Sequence, residues 1–363
     1  CYPYFPSGTI IGSDLERGMF VWRLGGPVAT FAVANAPALV KPQGGTTVDV
    51  TISPGQGQTL NNASAVMRVT SNGSTSTVPL VAQGGNVYRA TFPATTCTKD
   101  VEYQFEIANT AGEVTNDAPR SALSAVSVTT VVNDTFETST GWTGGVAGDT
   151  ATSGVWVRVD PIATTAQPED DHTPAPGTLC WITGNGVVGG AAGAADVDGG
   201  ITTLLSPVFN MSAMDEPLIE YWFWYSNNLG GAPNEDSMPV EISNNGGTSW
   251  TLLENVTQNN GAWTKRSWRV RDFIAPTSNM RVRFVARDLN TGSLVEAGVD
   301  DFRVIDVDCT PSNPADLDGD GNVNGADLTI LLGAWGSSNA AYDLDGSGSV
   351  DGGDLAVLLG SWG

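Results

Sequence analysis

Two stretches near the C-terminus carry the densest chemistry in the chain, DLDGDGNVNGAD from Asp316 to Asp327 and DLDGSGSVDGGD from Asp343 to Asp354. In the first, oxygen-bearing side chains fall at loop positions 1, 3, 5, 9 and 12, as Asp316, Asp318, Asp320, Asn324 and Asp327. Gly321 at position 6 permits a sharp turn, and Asn322 at position 7 offers its backbone carbonyl. In the second, Asp343, Asp345, Ser347, Asp351 and Asp354 take the same places, with Gly348 at the turn and Ser349 as the carbonyl donor. A hard cation needs six to eight oxygens at about 2.3–2.6 Å, and a loop alternating ligands with small residues can wrap its side chains around one point. The spacing therefore predicts two calcium sites.

After position 12 each loop runs into a short leucine-rich stretch, LTILLGAWG or LAVLLGSWG, whose terminal glycine suits a helix stop. Each unit reads as a loop followed by one helix. An ordinary EF-hand has a helix before the loop and a bidentate Glu at position 12, whereas here SNPA precedes the first loop and the twelfth residue is Asp in both. Duplicated loop-then-helix units with Asp at that position resemble the dockerin module of secreted bacterial proteins, over residues 314 to 363. The resemblance implies docking to cohesin partners through side chains at loop positions 10 and 11 and on the following helix. Here those loop positions are Gly325, Ala326, Gly352 and Gly353, so the hydroxyl or charged pair used by such modules is absent. A module that stabilises the C-terminus or docks onto its own chain is the remaining expectation.

The elements that must carry these loops are those of a large, acidic, turn-rich chain. At 363 residues it holds more than one core, and with 15% charged residues, 44 Gly and 20 Pro it favours short strands and turns. A net charge of −23 repels phosphate backbones and anionic lipid heads, which argues against nucleic acid and membrane surfaces as partners. No apolar run approaches the roughly 20 residues that span a bilayer. The first residues, CYPYFPSGTIIGSDLERG, lack a basic segment followed by an apolar one, so any signal peptide is expected to have been removed already. Cys1, Cys97, Cys180 and Cys309 form no C-x-x-C pair, which argues against a zinc or thioredoxin-type site. Three disulfide pairings are open, and Cys180 with Cys309 and Cys1 with Cys97 is the favoured one. Calcium loops of extracellular affinity add to the expectation of an extracellular or cell-surface protein.

Residues 1–36 contain two strand-like stretches, MFVWRL and VATFAVA, that need a neighbour to bury against. Across 37–130 the pattern alternates: Val48, Val50 and Ile52 share one face of TTVDVTI, and Val101, Tyr103, Phe105 and Ile107 share one face of VEYQFEIA. Turn signals at SPGQGQ, SNGS and QGGN separate these runs as in an immunoglobulin or fibronectin-III-like sandwich. Residues 131–309 are richer in aromatics, and IEYWFWYSN, VEISNNGGTSWTLL and MRVRFVARD read as strands of a two-sheet jelly roll, with SNNGGTSW as a hairpin turn. The fold class is thus mainly β, two β-sandwiches followed by a small α-helical calcium module at 314–363.

The stretches DTFET, GW, QPEDDHT, CWITG, DVDGG, TTLLSPVFNMS, YWFWYSN, NNGGTSW and VEAGVDDFRV resemble the MAM-like jelly-roll domains appended to secreted bacterial metalloproteases and carboxypeptidases, over most of residues 133–306. That resemblance implies a non-catalytic accessory role for the jelly roll and the Ig-like domain before it. It also implies a structural calcium where first and last strands meet, for which Glu137, Asp171 and Asp301 are the candidate ligands.

Catalytic constellations are scarce. His172 is the single histidine, which excludes H-E-x-x-H zinc chemistry, and no G-x-S-x-G elbow accompanies it for a Ser-His-Asp triad. With 39 acidic residues, no carboxylate pair stands out for glycoside hydrolysis. Trp222, Trp224, Trp250, Trp263 and Trp268 could form a sugar-stacking platform, with Trp222, Trp224 and Trp263 the chosen candidates, although strand alternation buries about half of such residues. The resulting expectation is a non-catalytic, calcium-stabilised extracellular protein acting in attachment or assembly. Its partner would be another protein or a second copy, through the C-terminal module or the N-terminal strand. The alternative is a carbohydrate-binding accessory region of a secreted hydrolase or protease.

Overall fold

The computed structural model describes residues 9–14, 18–23 and 27–363 apart from 192, 290–291, 311–312, 319–321 and 340, with backbone alone for 9–14 and 18–23. The chain divides into two compact units, Ser127–Asp308 on one hand and Cys1–Val126 with Cys309–Gly363 on the other.

In the first stretch of the chain, Thr9–Asp14 and Gly18–Arg23 pair antiparallel with each other, from Thr9 opposite Arg23 to Asp14 opposite Gly18. The second strand-like stretch finds its neighbour inside the sandwich: Ala29–Ala34 pairs with Thr47–Pro54 in a four-stranded sheet completed by Val87–Thr91 and Val81–Gly84. The facing sheet orders Leu39–Val40, Arg120–Ser124, Asp100–Asn109, Leu60–Ser71 and Ser74–Pro79, with Val114–Asn116 added to Asp100–Asn109. The period-2 pattern holds residue by residue, since Val48, Val50, Ile52, Val101, Tyr103, Phe105 and Ile107 are all buried between these sheets.

Cys97 pairs with Cys309, Cα atoms 5.8 Å apart, which overturns the expected Cys180–Cys309 bond. Cys180 is a free thiol at 0% exposure, packed with Ile182 and Trp224 in an apolar cluster no other cysteine enters among the described residues. Cys1 lies outside the described residues. A disulfide of this kind forms in oxidising compartments.

Residues Ser127–Asp308 form the jelly roll. One sheet orders Trp156–Val159, Cys180–Thr183, Glu296–Asp308, Pro217–Ser226 and Thr264–Arg269, with Ser127–Asp134 also pairing Glu296–Asp308. The other orders Thr143–Gly144, Gly200–Leu205, Arg281–Asp288, Met238–Ser243 and Thr251–Val256. Alternation again decides what lies between them: Met280, Val282, Phe284 and Ala286 from one sheet meet Ile219, Tyr221, Phe223 and Tyr225 from the other. The SNNGGTSW turn joins Met238–Ser243 to Thr251–Val256 as a hairpin, with Asn245 Oδ1 accepting from the Ser243 hydroxyl and the Ser249 N–H.

The residues that alternate outward from Pro217–Ser226 are Glu220, Trp222 and Trp224. Opposite them the Glu296–Asp308 strand carries a bulge: Glu220 faces Arg303, but Trp222 faces Asp300. Asp301 is the additional residue, with φ of 46°. An inserted residue in a left-handed conformation lets consecutive carboxylates leave the sheet on one side. Asp300 and Asp301 accordingly both meet the 172–173 backbone and side chains that cross the outer face.

The C-terminal residues make two short helices, α1 (Gly325–Gly333) and α2 (Gly352–Gly360), around a small core of Ala315, Val323, Leu331, Val350 and Leu358.

Candidate functional site

On the outer face of the six-stranded sheet, a cavity of about 300 Å³ is lined by Asn133, Glu220, Trp222, Lys265, Asp301 and Arg303. The lining residues come from four strands of this sheet and are cross-strand neighbours, with Arg303 opposite both Asn133 and Glu220, and Lys265 opposite Trp222. At its floor Glu220, 2% exposed, forms ion pairs with Lys265 through one oxygen and with Arg303 through the other. The half-buried Trp222 forms the apolar wall. The imidazole of His172 stacks on that indole, centroids 3.7 Å apart and 16° from parallel. His172 is fixed in turn: its backbone N–H donates to Asp300 Oδ2 at 2.8 Å, and Nδ1 lies 2.6 Å from Asp301 Oδ2. Thr173 adds a hydroxyl bond to Asp301 Oδ1 at 2.8 Å. A planar aromatic edge flanked by paired charges and an amide is a surface for a ligand with apolar C–H faces and a rim of hydroxyls.

Of the three tryptophans chosen from sequence, only Trp222 lines this cavity. Trp224 is fully buried under Cys180 and Ile182, so it presents no face to a ligand and is removed from the sugar-stacking set. Its neighbour across the sheet is Gly298, where an added Cβ would stand 2.1 Å from Trp224 Nε1. Trp263 is half-buried and donates its indole N–H to the Asp170 carbonyl at 2.9 Å, pinning the loop that carries His172. Trp268 donates to the Tyr221 hydroxyl at 3.0 Å, and Trp250 lies on the other sheet under the Arg283 guanidinium, 4.3 Å from its ring. The five indoles therefore make no common platform. Asn133, Glu220, Lys265, Arg303 and His172 were not legible as site residues; the i, i+2 spacing of Glu220 and Trp222 in IEYWFWY was the available signal that they share a face.

Asp171 lies within reach of the charges of Glu137 and Asp301, although among the described residues these three are not one of the groups whose ligand oxygens lie within 4.8 Å of one another. Glu137 Oε1 accepts from the Thr178 and Leu179 N–H groups at 3.0 and 2.9 Å. Asp171 Oδ2 is buried with no hydrogen-bond partner. Burial, followed by the charges of Glu137 and Asp301, pushes the Asp171 carboxyl up to about 6. Burial likewise pushes Asp300 up to about 7, against the backbone donors that stabilise its charge.

The C-terminal module gathers two tighter carboxylate groups. Asp316, Asp318 and Asp327 bring ligand oxygens within 4.8 Å of one another, as do Asp343, Asp345 and Asp354, and either triad could hold a metal ion. The position-12 residues are fully buried and tie loop to helix. Asp327 Oδ1 accepts from Leu317 and Asp318 N–H groups at 2.6 and 3.2 Å, and Oδ2 from Asn324 N–H at 2.8 Å. Asp354 repeats this with Leu344, Asp345 and Asp351. These backbone donors, Asn324 first for Asp327 and Asp351 first for Asp354, hold both carboxyls below the ordinary range. Asn324 and Asp351 also serve as N-caps of α1 and α2 in reciprocal capping boxes. In the second loop, Asp343 also accepts from Ser347 and Gly348 N–H groups, and the Ser349 carbonyl accepts from the Ser347 hydroxyl. In the first, the Asn322 carbonyl lies 3.5 Å from Asn324 Nδ2, while Asp320 lies outside the described residues.

No protein-family model matches the chain, and no curated protein matches it. Among solved structures, a family 61 carbohydrate-binding module in complex with β-1,4-galactotriose is similar at 10% identity and a TM-score of 0.28, covering 46% of this chain and 88% of that one. A family 22 module of Clostridium thermocellum Xyn10B is similar at 11% identity and a TM-score of 0.28, covering 50% and 97%. A Bacteroides ovatus glucan-utilisation protein, SGBP-B, in complex with a mixed-linkage heptasaccharide covers 82% of this chain and 65% of that one, at 10% identity and a TM-score of 0.20.

Proposed function

We propose that this is a non-catalytic, calcium-stabilised extracellular protein that binds polysaccharide on the outer face of its jelly roll. The observation that carries the reading is the Trp222 wall of the 300 Å³ cavity, rimmed by Asn133, Glu220, Lys265, Asp301 and Arg303. The cations there are already paired with carboxylates, so the surface offers donors and acceptors to hydroxyl groups rather than a bare positive charge to an anion. His172 supports this by holding the indole in one orientation, which lowers the ordering cost of stacking. In this reading the chain works as a carbohydrate-binding accessory region.

Calcium belongs to the same proposal. The oxygen-only donor sets of the two C-terminal triads suit a hard cation, and ion binding to a folded loop stabilises that fold. Glu137, Asp171 and Asp301 are proposed as a third, structural site. The divisions at 37–130, 131–309 and 314–363 belong to the same proposal, but 1–36 is not a separate part of it, because Ala29–Ala34 pairs with Thr47–Pro54 inside the sandwich.

Attachment through the C-terminal module is supported by a specific feature. Leu332 and Trp335 after the first loop, and their repeat equivalents Leu359 and Trp362, are 51%, 47%, 52% and 46% exposed. Large apolar side chains exposed at matching positions of both repeats favour a protein contact there.

Affinity electrophoresis of the full chain in gels containing soluble xylans, glucans, mannans and galactans tests the central reading. Retardation by at least one of them is expected, and mobility unchanged in all of them would remove it.

A further inference from the structure

A second cavity, of about 420 Å³, lies at the far end of the strand that carries Trp222. Ser226, the last residue of Pro217–Ser226, lines it, together with the segment 163–169 and residues of the 228–229 and 259–261 loops. Glu220, Trp222, Trp224 and Ser226 alternate onto one side of that strand, so this cavity and the one beside Trp222 share the outer face of the sheet.

Two of its lining side chains are almost wholly buried yet keep a polar atom unused. Gln167 is 3% exposed. Its Nε2 donates to the Ile162 carbonyl and to Asn185 Oδ1, both at 2.9 Å, and Asn185 is held in turn by its Nδ2 on the Asp160 carbonyl at 2.8 Å. With both amide protons engaged, Gln167 Oε1 is an acceptor that no described residue donates to, and it is not sealed from solvent. Ser226, 2% exposed, has a hydroxyl in the same condition. Polar atoms of this kind take their partner from water or from a ligand in the cavity they face.

The adjoining loops are fixed as well. Asn227, fully buried, donates from Nδ2 to the Asp236 carbonyl at 2.6 Å and accepts from Asn234 N–H at 2.6 Å, which sets the position of Asn228. Asn260 Oδ1 accepts from Tyr225 N–H at 2.5 Å and its backbone N–H donates to the Tyr225 carbonyl at 3.1 Å, which sets the position of Asn259. Asn228 and Asn259 are exposed, line the cavity, and each bring a carboxamide with donors and an acceptor. Ala163, Pro168 and Leu229 add apolar surface, and the one charge in the lining is the exposed Glu169. An anion finds no cation there, and a purely apolar ligand would strand the buried polar atoms. The ligand that fits is uncharged, with hydroxyl groups around C–H faces.

We propose that this cavity is a second carbohydrate subsite, which takes an uncharged sugar unit through Gln167 Oε1, the Ser226 hydroxyl and the carboxamides of Asn228 and Asn259. This subsite rests on the carbohydrate reading of the Trp222 groove and extends it. Trp222 and Ser226 are four residues apart on one strand, about 13 Å, a span that one polysaccharide chain can bridge and a single sugar ring cannot. Once one contact is made the second becomes intramolecular, so the face favours polymers and long oligosaccharides over short ones.

The test is affinity electrophoresis of the full chain in a gel of the neutral polysaccharide that retards it, comparing the parent with Trp222→Ala, with Ser226→Ala, and with Asn228→Ala combined with Asn259→Ala. The paired asparagine variant is altered at exposed positions alone, which guards against misfolding. It is expected to lose roughly 5-fold or more in affinity, the scale of two hydrogen bonds between neutral groups, and to lose the parent's preference for long over short oligosaccharides of the same sugar. Ser226→Ala should weaken binding in the same direction. Parent-like retardation of both cavity variants, with loss in Trp222→Ala alone, would overturn the second subsite and leave the Trp222 groove in place. A parent that no polysaccharide retards would remove both.

Discussion

Glu220 shows how much one side chain decides at the groove. At 2% exposure it is held by Lys265 and Arg303, whose own side chains are 33% and 41% exposed. Glu220→Gln leaves two cations facing a neutral amide, a loss of about 1–3 kcal/mol on the scale of a buried charge-assisted bond, readable in urea denaturation; an unchanged midpoint would show that the ion pairs contribute nothing. Gly298→Ala acts by volume instead. Its Cβ would meet the buried Trp224 indole at 2.1 Å, so overpacking should cost about 1–3 kcal/mol. Wild-type stability in that variant would mean that Trp224 can move. These two residues also mark what a sequence withholds. That Glu220 and Trp222 share a face follows from period 2, but that Trp224, on the same face, is sealed by Cys180 and Ile182 while Trp222 lines a cavity depends on how the distant Cys180–Thr183 strand packs. The choice of Trp224 as a sugar ligand failed for that reason.

At the scale of elements, the two C-terminal carboxylate triads were legible because their residues are local: the spacing within twelve residues already brings the side chains together. The structure adds that the acidic positions differ in role. Asp327 ties Leu317, Asp318 and Asn324 backbone to α1, whereas Asp318 contributes its carboxylate to the triad. Asp327→Ala should therefore lower the stability of α1 with or without calcium, by about 0.5–2 kcal/mol from the lost cap alone. Asp318→Ala should act chiefly when calcium is present. Hydrogen exchange of α1 and α2 amides separates the two, and equal protection losses in chelator would contradict this division of roles. Chelation of the parent chain should expose residues 314–363 to exchange before the sandwich cores. The bulge at Asp300 and Asp301 was not legible in the same way. Consecutive acids in VDDF read as alternating faces, and only the register against Pro217–Ser226 turns both outward. The fate of VATFAVA was equally non-local, settled by pairing with Thr47–Pro54.

For the whole molecule, alternating apolar residues sufficed to foresee two sandwiches, since a strand with one buried face states its own orientation. Pairing between distant cysteines has no such local signature. Cys97 and Cys309 are 212 residues apart, and the expected Cys180 instead lies sealed beside Trp224. A cross-link closing so long a loop restricts the unfolded chain strongly, so Cys97→Ser with Cys309→Ser should cost about 2–4 kcal/mol. Reduction of the parent by dithiothreitol should lower the melting temperature of Cys1–Val126 and Cys309–Gly363 while leaving that of Ser127–Asp308 in place; a shift in the jelly roll alone would contradict it. Polysaccharide binding, as proposed, turns on the groove beside Trp222. Its most direct test is titration of whichever polysaccharide retards the chain, by calorimetry, against the parent and Trp222→Ala at matched melting temperature. Loss of roughly 10-fold or more in affinity, on the scale of a lost stacking contact of about 1.4 kcal/mol, is the predicted result; undiminished binding by Trp222→Ala would place the ligand elsewhere and contradict the central claim.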